Sequence, residues 1–134
     1  MNVVGHGIDM VELNRVADLL EKHGERFIDR CFTEGEQAYA ATSDKRRTEI
    51  FAARFAAKEA VLKAIGTGWR DGIAWTDIDV TRDPSGCPGV KLTGEAERYA
   101  DKKRIIGWQL SLTHTSTYAM ASAIALGASD NNSP

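Results

Sequence analysis

Residues 54–68 read RFAAKEAVLKAIGTG, and this stretch decides the fold of the chain. Alanine and leucine favour a helix, and at about 100° per residue one helix face carries the apolar side chains Phe51, Phe55, Leu62 and Ile65. Lys58 falls inside this apolar cluster, Glu59 lies at its margin, and Lys63 projects from the same side as Glu59. The stretch therefore predicts a long core helix that carries charged groups beside its buried face and ends at Gly66-Thr67-Gly68.

The composition is typical of one globular domain. The chain has 134 residues, of which 43% are hydrophobic and 27% charged, and this length holds one core more comfortably than two. We expect a single domain over residues 1–127 and a polar, disordered tail over residues 128–134. The chain has 17 Lys and Arg against 19 Asp and Glu, a formal net charge of −2 that does not favour nucleic acid or an anionic membrane as a partner.

Sorting and redox signals indicate the cytoplasm. No run of about 18 apolar residues is present, and the N-terminal segment meets an acidic residue too early for a secretory signal. Cys31 and Cys87 lie far apart without CxxC spacing, so neither a zinc site nor a disulfide scaffold is predicted. We expect a cytoplasmic protein with reduced thiols.

The N-terminal half combines one strand with a block of helices. Val3–Val11 alternates as a strand whose odd-numbered residues place Gly5, Gly7 and Asp9 on one face. Glycine inside a strand often marks the close approach of another backbone or of a ligand, so we expect Asp9 to face an open space. Helices are predicted over Glu12–Lys22, around Phe27, from the capping box of Thr33 and Glu36 through Ala41, and from Ser43 or Asp44 through residue 65.

The C-terminal half is predicted to form strands interrupted by one helix. The predicted elements are a strand over Trp75–Thr81, turns over residues 83–89, an extended segment over Val90–Leu92, a helix over residues 94–103, and a hairpin of residues 108–112 with 118–126 around a turn at 115–117. The last strand sets Ala119, Ala121, Ala123 and Ala125 on one face, which suits close packing on a helix or on another subunit. The whole pattern is α+β, because strands and helices do not alternate regularly.

Asp9 and Glu59 are the main candidates for chemistry, and each also has a structural interpretation. Asp9 is placed to cap the following helix together with Glu12, and Glu59 is placed to pair with Lys63 four residues on. Two carboxylates beside a buried face repel each other unless a cation lies between them, and Mg²⁺ takes one or two carboxylates plus waters and phosphates. Lys63 is then placed to reach a phosphate oxygen, and the glycines at residues 66–68 either leave room for a bulky ligand or serve only as a helix cap.

Other polar residues carry weaker signals. His114 ends the strand WQLSLTH, where the hairpin turn is placed to receive a polar ligand. Arg54 and Lys58 either lie at the edge of the core or face an anion. His6 and His23 show no partner pattern, and neither cysteine has a neighbouring base, so none of these four is assigned a catalytic role.

Four segments together resemble one enzyme family. They are VGHGIDMVE near the start, RFAAKEAVLKAIGTG in the middle, the turn Gly86-Cys87-Pro88, and LSLTHT near the end. Their order and spacing resemble the holo-acyl-carrier-protein synthases, the small bacterial branch of the phosphopantetheinyl transferases, over nearly the whole chain. Cys87 departs from the polar or basic residue expected at the middle of its turn.

The resemblance implies a 4′-phosphopantetheinyl transferase fold, with a small antiparallel or mixed sheet packed on a long helix. It implies that the 4′-phosphopantetheine arm of coenzyme A passes to a serine of apo-acyl carrier protein, with Mg²⁺ as the metal and adenosine 3′,5′-bisphosphate as the second product. Asp9 and Glu59 resemble the metal ligands, and Lys63 resembles the residue that stabilises the leaving phosphate. The base that takes the serine proton is either Glu59 or a water on the metal. The residues implied to line the coenzyme A site are Arg54, Lys63, Gly66, Pro88 and His114.

The resemblance also implies two kinds of protein partner. Acyl carrier proteins are acidic, so cations on and after the first helix are candidates for docking, with Arg15 and Arg26 favoured over Lys22 and Arg30. A homotrimer with active sites between subunits is implied by the resemblance alone.

Two other functions fit parts of the pattern. A Mg²⁺-dependent phosphodiesterase or nuclease also uses acidic residues and a lysine, but it favours a Glu-x-Lys pair on a strand and a basic surface, whereas this chain has Glu-x-x-x-Lys on a helix and a pI near 5.9. In a non-catalytic α+β binding module, Asp9 would only cap a helix and Glu59 would only pair with Lys63.

Overall fold

The computed structural model describes residues 1–69 and 72–129. Its helices are α1 (Leu13–His23), α2 (Glu25–Cys31), α3 (Glu34–Ala40), α4 (Arg47–Ile65) and α5 (Gly94–Lys102). Its strands are β1 (Asn2–Glu12), β2 (Ile78–Arg82), β3 (Pro88–Leu92), β4 (Ile105–His114) and β5 (Tyr118–Gly127). The predicted α+β class is confirmed, and none of the described helices is long and apolar enough to cross a membrane. Residues 130–134 of the predicted tail lie outside the described residues, so its disorder stays a prediction.

A three-stranded antiparallel sheet in the order β1-β5-β4 packs on the long helix α4. Strands β2 and β3 form a separate antiparallel pair. The β5 alanines at positions 119, 121, 123 and 125 are completely buried on the face of the sheet that meets α4. Of the two neighbours predicted for this alanine face, the helix is therefore the one observed.

The two glycines of β1 allow this close packing. A Cβ atom built on Gly5 would lie 1.9 Å from the carbonyl oxygen of Ala64, and one built on Gly7 would lie 1.9 Å from that of Ala60. Any side chain at either position would collide with the backbone of α4. Of the two predicted causes of close approach, another backbone is correct, and it brings the strand that carries Asp9 directly against the helix that carries Glu59.

The predicted start of the long helix is wrong. The helix begins at Arg47, several residues after Ser43 and Asp44. The hydroxyl oxygen of Ser43 accepts the backbone N–H of Arg46 at 3.2 Å, so this side chain stabilises a turn that precedes the helix. A serine that caps a turn has the same sequence signature as one that caps a helix.

The strand predicted from Trp75 begins later than expected. Residues Trp75–Asp77 form one turn of 3₁₀-helix, and β2 starts only at Ile78. The Asp77 carboxylate accepts the backbone N–H of Ala74 at 3.1 Å, which stabilises the tight turn in place of an extended strand.

Lys58 is part of the core and does not face the candidate site. The capping box predicted at α3 is confirmed, with Glu36 accepting the backbone N–H of Thr33. Glu36 also binds Lys58, whose Nζ lies 2.7 Å from Glu36 Oε1, and neither side chain is exposed. The Lys58 ammonium donates further hydrogen bonds to the carbonyls of Trp75 at 3.1 Å and Ile78 at 2.6 Å. Lys58 therefore lies inside the core and not at its edge, and the anion that it faces is the Glu36 carboxylate, through which it joins α4 to α3.

Candidate active site

Glu59 and Lys63 form the polar edge of an otherwise buried helix. Between residues 50 and 65 of α4, every side chain except these two is buried. They lie four residues apart, so they share one side of the helix. At this edge α4 presents charged groups outside the core.

Lys63 reaches from this edge to β1. Its Nζ donates to the carbonyl oxygen of Ile8 at 2.9 Å and to Asp9 Oδ1 at 3.1 Å. The Lys63 and Asp9 side chains are 53% and 22% exposed, so both can contact a ligand, and such a partly exposed pair adds only about 0–1 kcal/mol to stability. Asp9 does not cap α1, because Glu12 holds the position before that helix without a side-chain capping bond.

Glu59 has a perturbed pKa. Burial raises the pKa of its carboxyl, and the nearby charge of Asp9 raises it further. Hydrogen bonding by the Trp69 side chain and the positive charges of Lys63 and Arg15 act in the opposite direction. A carboxylate that is desolvated and repelled by a neighbour is stabilised when a cation approaches.

The chemistry of the donors fits Mg²⁺. Asp9 and Glu59 supply two carboxylates from two elements, and Mg²⁺ commonly uses one or two carboxylates while keeping water and phosphate oxygens. Among the described residues, no group of three or more His, Cys, Asp or Glu side chains is arranged to hold a metal. An ion at Asp9 and Glu59 would therefore depend on further oxygens from water or from a phosphate ligand.

A second group of candidate residues lies around a pocket elsewhere on α4. Arg54, Pro88 and His114 line a cavity of about 360 Å³. Arg54 is only 6% exposed, and its Nε atom has no hydrogen-bond partner among the described residues. Burial lowers the pKa of Arg54, although an arginine stays charged in proteins. A buried cation with an unused donor suits an anionic ligand.

Tyr39 and Arg82 belong to the same pocket and were missed in the sequence analysis. The guanidinium carbon of Arg82 lies 4.1 Å from the centroid of the Tyr39 ring, and that of Arg54 lies 4.6 Å from it. The three residues come from α3, α4 and β2, so no sequence spacing connects them. Only the fold assembles this pair of cations on one aromatic ring.

Glu49 and Arg46 are further pocket residues without a sequence signal. Glu49 Oε1 lies 2.8 Å from His114 Nδ1, and Glu49 Oε2 lies 3.1 Å from Arg46 Nε. Glu49 therefore orients the ring of His114 at the end of β4, while the pocket as a whole keeps an excess of cationic side chains.

The two groups of candidate residues lie apart within this chain. Arg54 and Lys63 are separated by nine residues, or about 14 Å along the axis of α4, and Arg54 and Glu59 point in directions about 140° apart. Gly66 ends α4 in a left-handed conformation with φ of 87°, one turn beyond Lys63. The structure thus brings together Asp9, Glu59, Lys63 and Gly66 in one group, and Arg54, Pro88 and His114 in another.

The predicted docking residue Arg26 lies on an apolar groove. This α1–α2 groove has a volume of about 390 Å³ and is lined by Leu19, His23, Arg26, Phe27, Arg30, Cys31, Phe55 and Trp75. Arg15 is exposed on α1 and is close enough to Glu59 to influence its pKa. Of the two predicted docking cations, Arg26 therefore lies on the groove and Arg15 lies nearer Glu59.

Comparisons with known proteins agree on one family. The profile described as the 4′-phosphopantetheinyl transferase superfamily matches residues 5–123. A curated protein of Solibacter usitatus (strain Ellin6076), a holo-[acyl-carrier-protein] synthase, is 45% identical over 122 residues, which cover 91% of this chain and 97% of that protein.

Solved structures confirm the predicted fold. The crystal structure of the holo-[acyl-carrier-protein] synthase from Neisseria meningitidis matches with a TM-score of 0.84 and 30% identity, covering 93% of this chain and 99% of that one. The synthase from Bacillus anthracis str. Ames, crystallised in complex with CoA, matches with a TM-score of 0.77 and 35% identity, covering 94% of this chain and 98% of that one.

Proposed function

This chain belongs to the 4′-phosphopantetheinyl transferase superfamily, and we infer that it is a holo-acyl-carrier-protein synthase. It transfers the 4′-phosphopantetheine group of coenzyme A to a serine of apo-acyl carrier protein. One observation carries this assignment: the polar edge of α4 holds Glu59 and Lys63 beside Asp9 of β1, in a chain that matches such synthases over nearly its whole length.

In this reaction the enzyme positions the two substrates and stabilises charge, because the carrier protein supplies the nucleophile. The serine oxygen of the carrier protein forms a bond to the β-phosphorus of coenzyme A, and the bond from that phosphorus to the bridging oxygen breaks, which releases adenosine 3′,5′-bisphosphate. Lys63 stabilises the negative charge that develops on the bridging oxygen. Asp9 and Glu59 would hold Mg²⁺, which would supply positive charge to neutralise the pyrophosphate.

We propose that Glu59 is the base that accepts the proton of the serine hydroxyl. Burial raises the pKa of this carboxyl, which makes its ionised form a stronger base than that of an ordinary glutamate. Asp9 is already held by Lys63 and serves to anchor the cation.

The pocket of Arg54 and His114 suits the nucleotide end of coenzyme A. Arg54 and Arg82 are held on the Tyr39 ring, and Arg54 Nε has no protein partner among the described residues, so this pocket offers donors to a phosphate. Pro88 and the β4 residues 110–114 line the same pocket and leave room there for a base.

Because the pocket and the carboxylate site lie apart in one chain, we propose that two subunits complete each site. The outer face of the sheet is apolar: Ile8 and Met10 are 52% and 54% exposed, and Met120 and Ile124 of β5 lie half-buried beside them. Burying this face between copies would stabilise the homotrimer implied by the family resemblance. Light scattering tests it: the wild type should have three times the monomer mass, and Ile8→Lys should lower both that mass and the transfer rate. A monomeric, active wild type would contradict the shared site.

Docking of an acidic carrier protein suits the α1–α2 groove, where Arg26 and Arg30 flank apolar side chains. Arg15→Glu and Arg26→Glu should raise KM for the carrier protein more than KM for coenzyme A. Arg98→Glu on α5 is the matched control, because Arg98 is 69% exposed and pairs with Glu95 away from the groove. Equal effects of Arg26→Glu on both substrates would contradict docking there. The cytoplasmic location stays a prediction.

The deciding experiment is intact-mass analysis of an apo-acyl carrier protein incubated with this protein and coenzyme A, with Mg²⁺ or with a chelator. We expect one phosphopantetheinyl group to be added only with Mg²⁺, and Asp9→Ala and Glu59→Ala to abolish the addition while leaving the fold intact. Failure of the folded wild type with several carrier proteins would refute the transferase assignment. Full activity of either variant would refute the metal ligands only.

A further inference from the structure

Glu36 joins three elements of the fold at one buried point. Its carboxylate lies 2.7 Å from Lys58 Nζ of α4 and accepts the backbone N–H of Val80 on β2 at 2.7 Å. Thr33, the N-cap of α3, also donates its hydroxyl to Asp79 of β2 at 2.6 Å. The helix α3 is therefore fixed to both α4 and β2 at this place, which we call the Glu36 junction.

The same three elements meet again at the ring of Tyr39. Each of Tyr39, Arg54 and Arg82 lies within one helical turn, or two strand positions, of a residue of the Glu36 junction, so buried contacts fix its backbone. The guanidinium carbons of Arg54 and Arg82 lie 4.6 Å and 4.1 Å from the centroid of the Tyr39 ring. Because both distances end at one centroid, the two carbons are at most about 9 Å apart.

The described residues supply no anion for these two guanidinium groups. Among residues 1–69 and 72–129, neither Arg54 nor Arg82 forms an ion pair with a carboxylate. Glu49 is the only acidic side chain in the described lining of the pocket, and it is already paired with His114 at 2.8 Å and with Arg46 at 3.1 Å. Like charges repel, and an aromatic face offsets only part of that repulsion, so an anionic ligand would stabilise the pair.

Coenzyme A carries a suitable anion at its nucleotide end, where the ribose bears a 3′-phosphate. The pyrophosphate is assigned to the group of Asp9, Glu59 and Lys63, so the 3′-phosphate is the phosphate that remains for this pocket. Phosphate oxygens accept several charge-assisted hydrogen bonds, and guanidinium groups match their geometry. The buried Nε of Arg54 is an unused donor among the described residues.

We propose that Tyr39 is a positioning residue whose ring holds Arg54 and Arg82 as a cation pair for the 3′-phosphate, and that the pair makes the enzyme select coenzyme A over dephospho-coenzyme A. This inference rests on the proposed function, because it takes coenzyme A as the donor. Tyr39 contacts no substrate atom in this assignment and acts through the two arginines.

The main test compares two donors that carry the same phosphopantetheine arm and pyrophosphate. The wild type should have a kcat/KM for coenzyme A at least about tenfold above that for dephospho-coenzyme A. Tyr39→Leu should lower kcat/KM for coenzyme A about tenfold, the scale of lost cation–π contacts, and change that for dephospho-coenzyme A less than about twofold. Tyr39→Phe keeps the ring and should retain most of the preference.

Tyr99→Leu is the matched control for Tyr39→Leu. Tyr99 also carries a cation, with Lys102 Nζ 5.3 Å from its ring centroid, but it lies on α5 and does not line the pocket. We expect Tyr99→Leu to keep the preference of the wild type. A merely structural role of Tyr39 would lower kcat/KM for both donors by the same factor.

Calorimetry supplies a measurement that does not depend on turnover. The wild type should bind adenosine 3′,5′-bisphosphate more tightly than adenosine 5′-monophosphate, and Tyr39→Leu and Arg82→Gln should each reduce that preference. Arg82 is exposed at the end of β2, so Arg82→Gln keeps the test available if Tyr39→Leu does not fold. Because Tyr39 acts through Arg82, the two effects should be less than additive in the double variant. Additive effects, or an unchanged preference in Arg82→Gln, would overturn the inference.

The outcomes separate this inference from the proposed function. If the wild type uses both donors equally well, or if Tyr39→Leu loses activity with both alike, the positioning role is wrong and the synthase assignment stands. If the wild type transfers nothing from either donor, the proposed function fails, and calorimetry still decides whether the arginine pair binds a 3′-phosphate.

Discussion

Two substitutions on the same helix should have opposite effects: Lys58→Met should lower stability, and Lys63→Met should lower activity. Lys58 uses all three ammonium protons, on Glu36 Oε1 and on the carbonyls of Trp75 and Ile78, and is completely buried. Lys63 lies 53% exposed against Asp9. The same change on the same helix therefore removes a buried network at one position and a surface ion pair at the other.

The size of the stability loss in Lys58→Met follows from the charge that remains buried on Glu36. Lys58→Met leaves the Glu36 carboxylate buried without its cation, and removing one partner of a buried pair typically lowers stability by about 3–5 kcal/mol. For a chain of this size the loss lowers Tm by roughly 10–20 °C. Lys63→Met should change stability by no more than about 1 kcal/mol, because solvent screens the pair with Asp9.

Urea unfolding followed by circular dichroism and the mass assay for transfer together test this contrast. We expect Lys58→Met to have a much lower midpoint and to retain activity where it is folded, and Lys63→Met to keep its midpoint and lose transfer. The double variant with Lys58→Met and Glu36→Gln should be more stable than Lys58→Met alone, because it buries no unpaired charge. The argument would be refuted if the free energy of unfolding of Lys58→Met lay within about 1 kcal/mol of the wild type, or if the double variant were no more stable than the single one.

Four further predictions concern Gly7, Glu59 and Arg54. Gly7→Ala places a methyl group 1.9 Å from the Ala60 carbonyl oxygen, so we expect it to lower the free energy of unfolding by roughly 1–3 kcal/mol or more, and an unchanged urea midpoint would contradict the packing. The pKa of Glu59 is raised above its ordinary value of 4.5. The stability that this group contributes is therefore present below pH 4.5 and is lost as the pH rises through the raised pKa. Glu59→Gln should accordingly raise the urea midpoint at pH 7 without Mg²⁺. For the same reason Mg²⁺ binding at mildly acidic pH should release protons, measured by calorimetry in two buffers, and Glu59→Gln should abolish the release. Arg54→Lys should raise KM for coenzyme A at least about tenfold and leave KM for the carrier protein unchanged, because an ammonium cannot reproduce the guanidinium fork; equal changes would place Arg54 outside the nucleotide pocket.

Local sequence signals predicted the elements that depend on short spacing. The β1 alternation, the Thr33 capping box and the alanine face of β5 each follow from residues within one element, and the structure confirms all three. The start of α4 was wrong because a capping serine marks a turn as readily as a helix. The β2 start was wrong because the Asp77 side chain stabilises a tight turn where the alternation indicated an extended strand.

The helical wheel placed Lys58 correctly inside the core, but long-range contacts decide where its ammonium goes. The wheel puts Lys58 inside the apolar cluster, where a lysine normally extends its ammonium to solvent. Glu36 is 22 residues earlier in the sequence, and no local rule predicts that its carboxylate will meet that ammonium in the core. Glu59, one residue on, turns about 100° away, reaches the helix edge, and faces Asp9 because Gly5 and Gly7 let β1 lie against α4. The two adjacent charges thus have different surroundings: Lys58 fixes the helix that carries Glu59, and Glu59 lies at the proposed metal site.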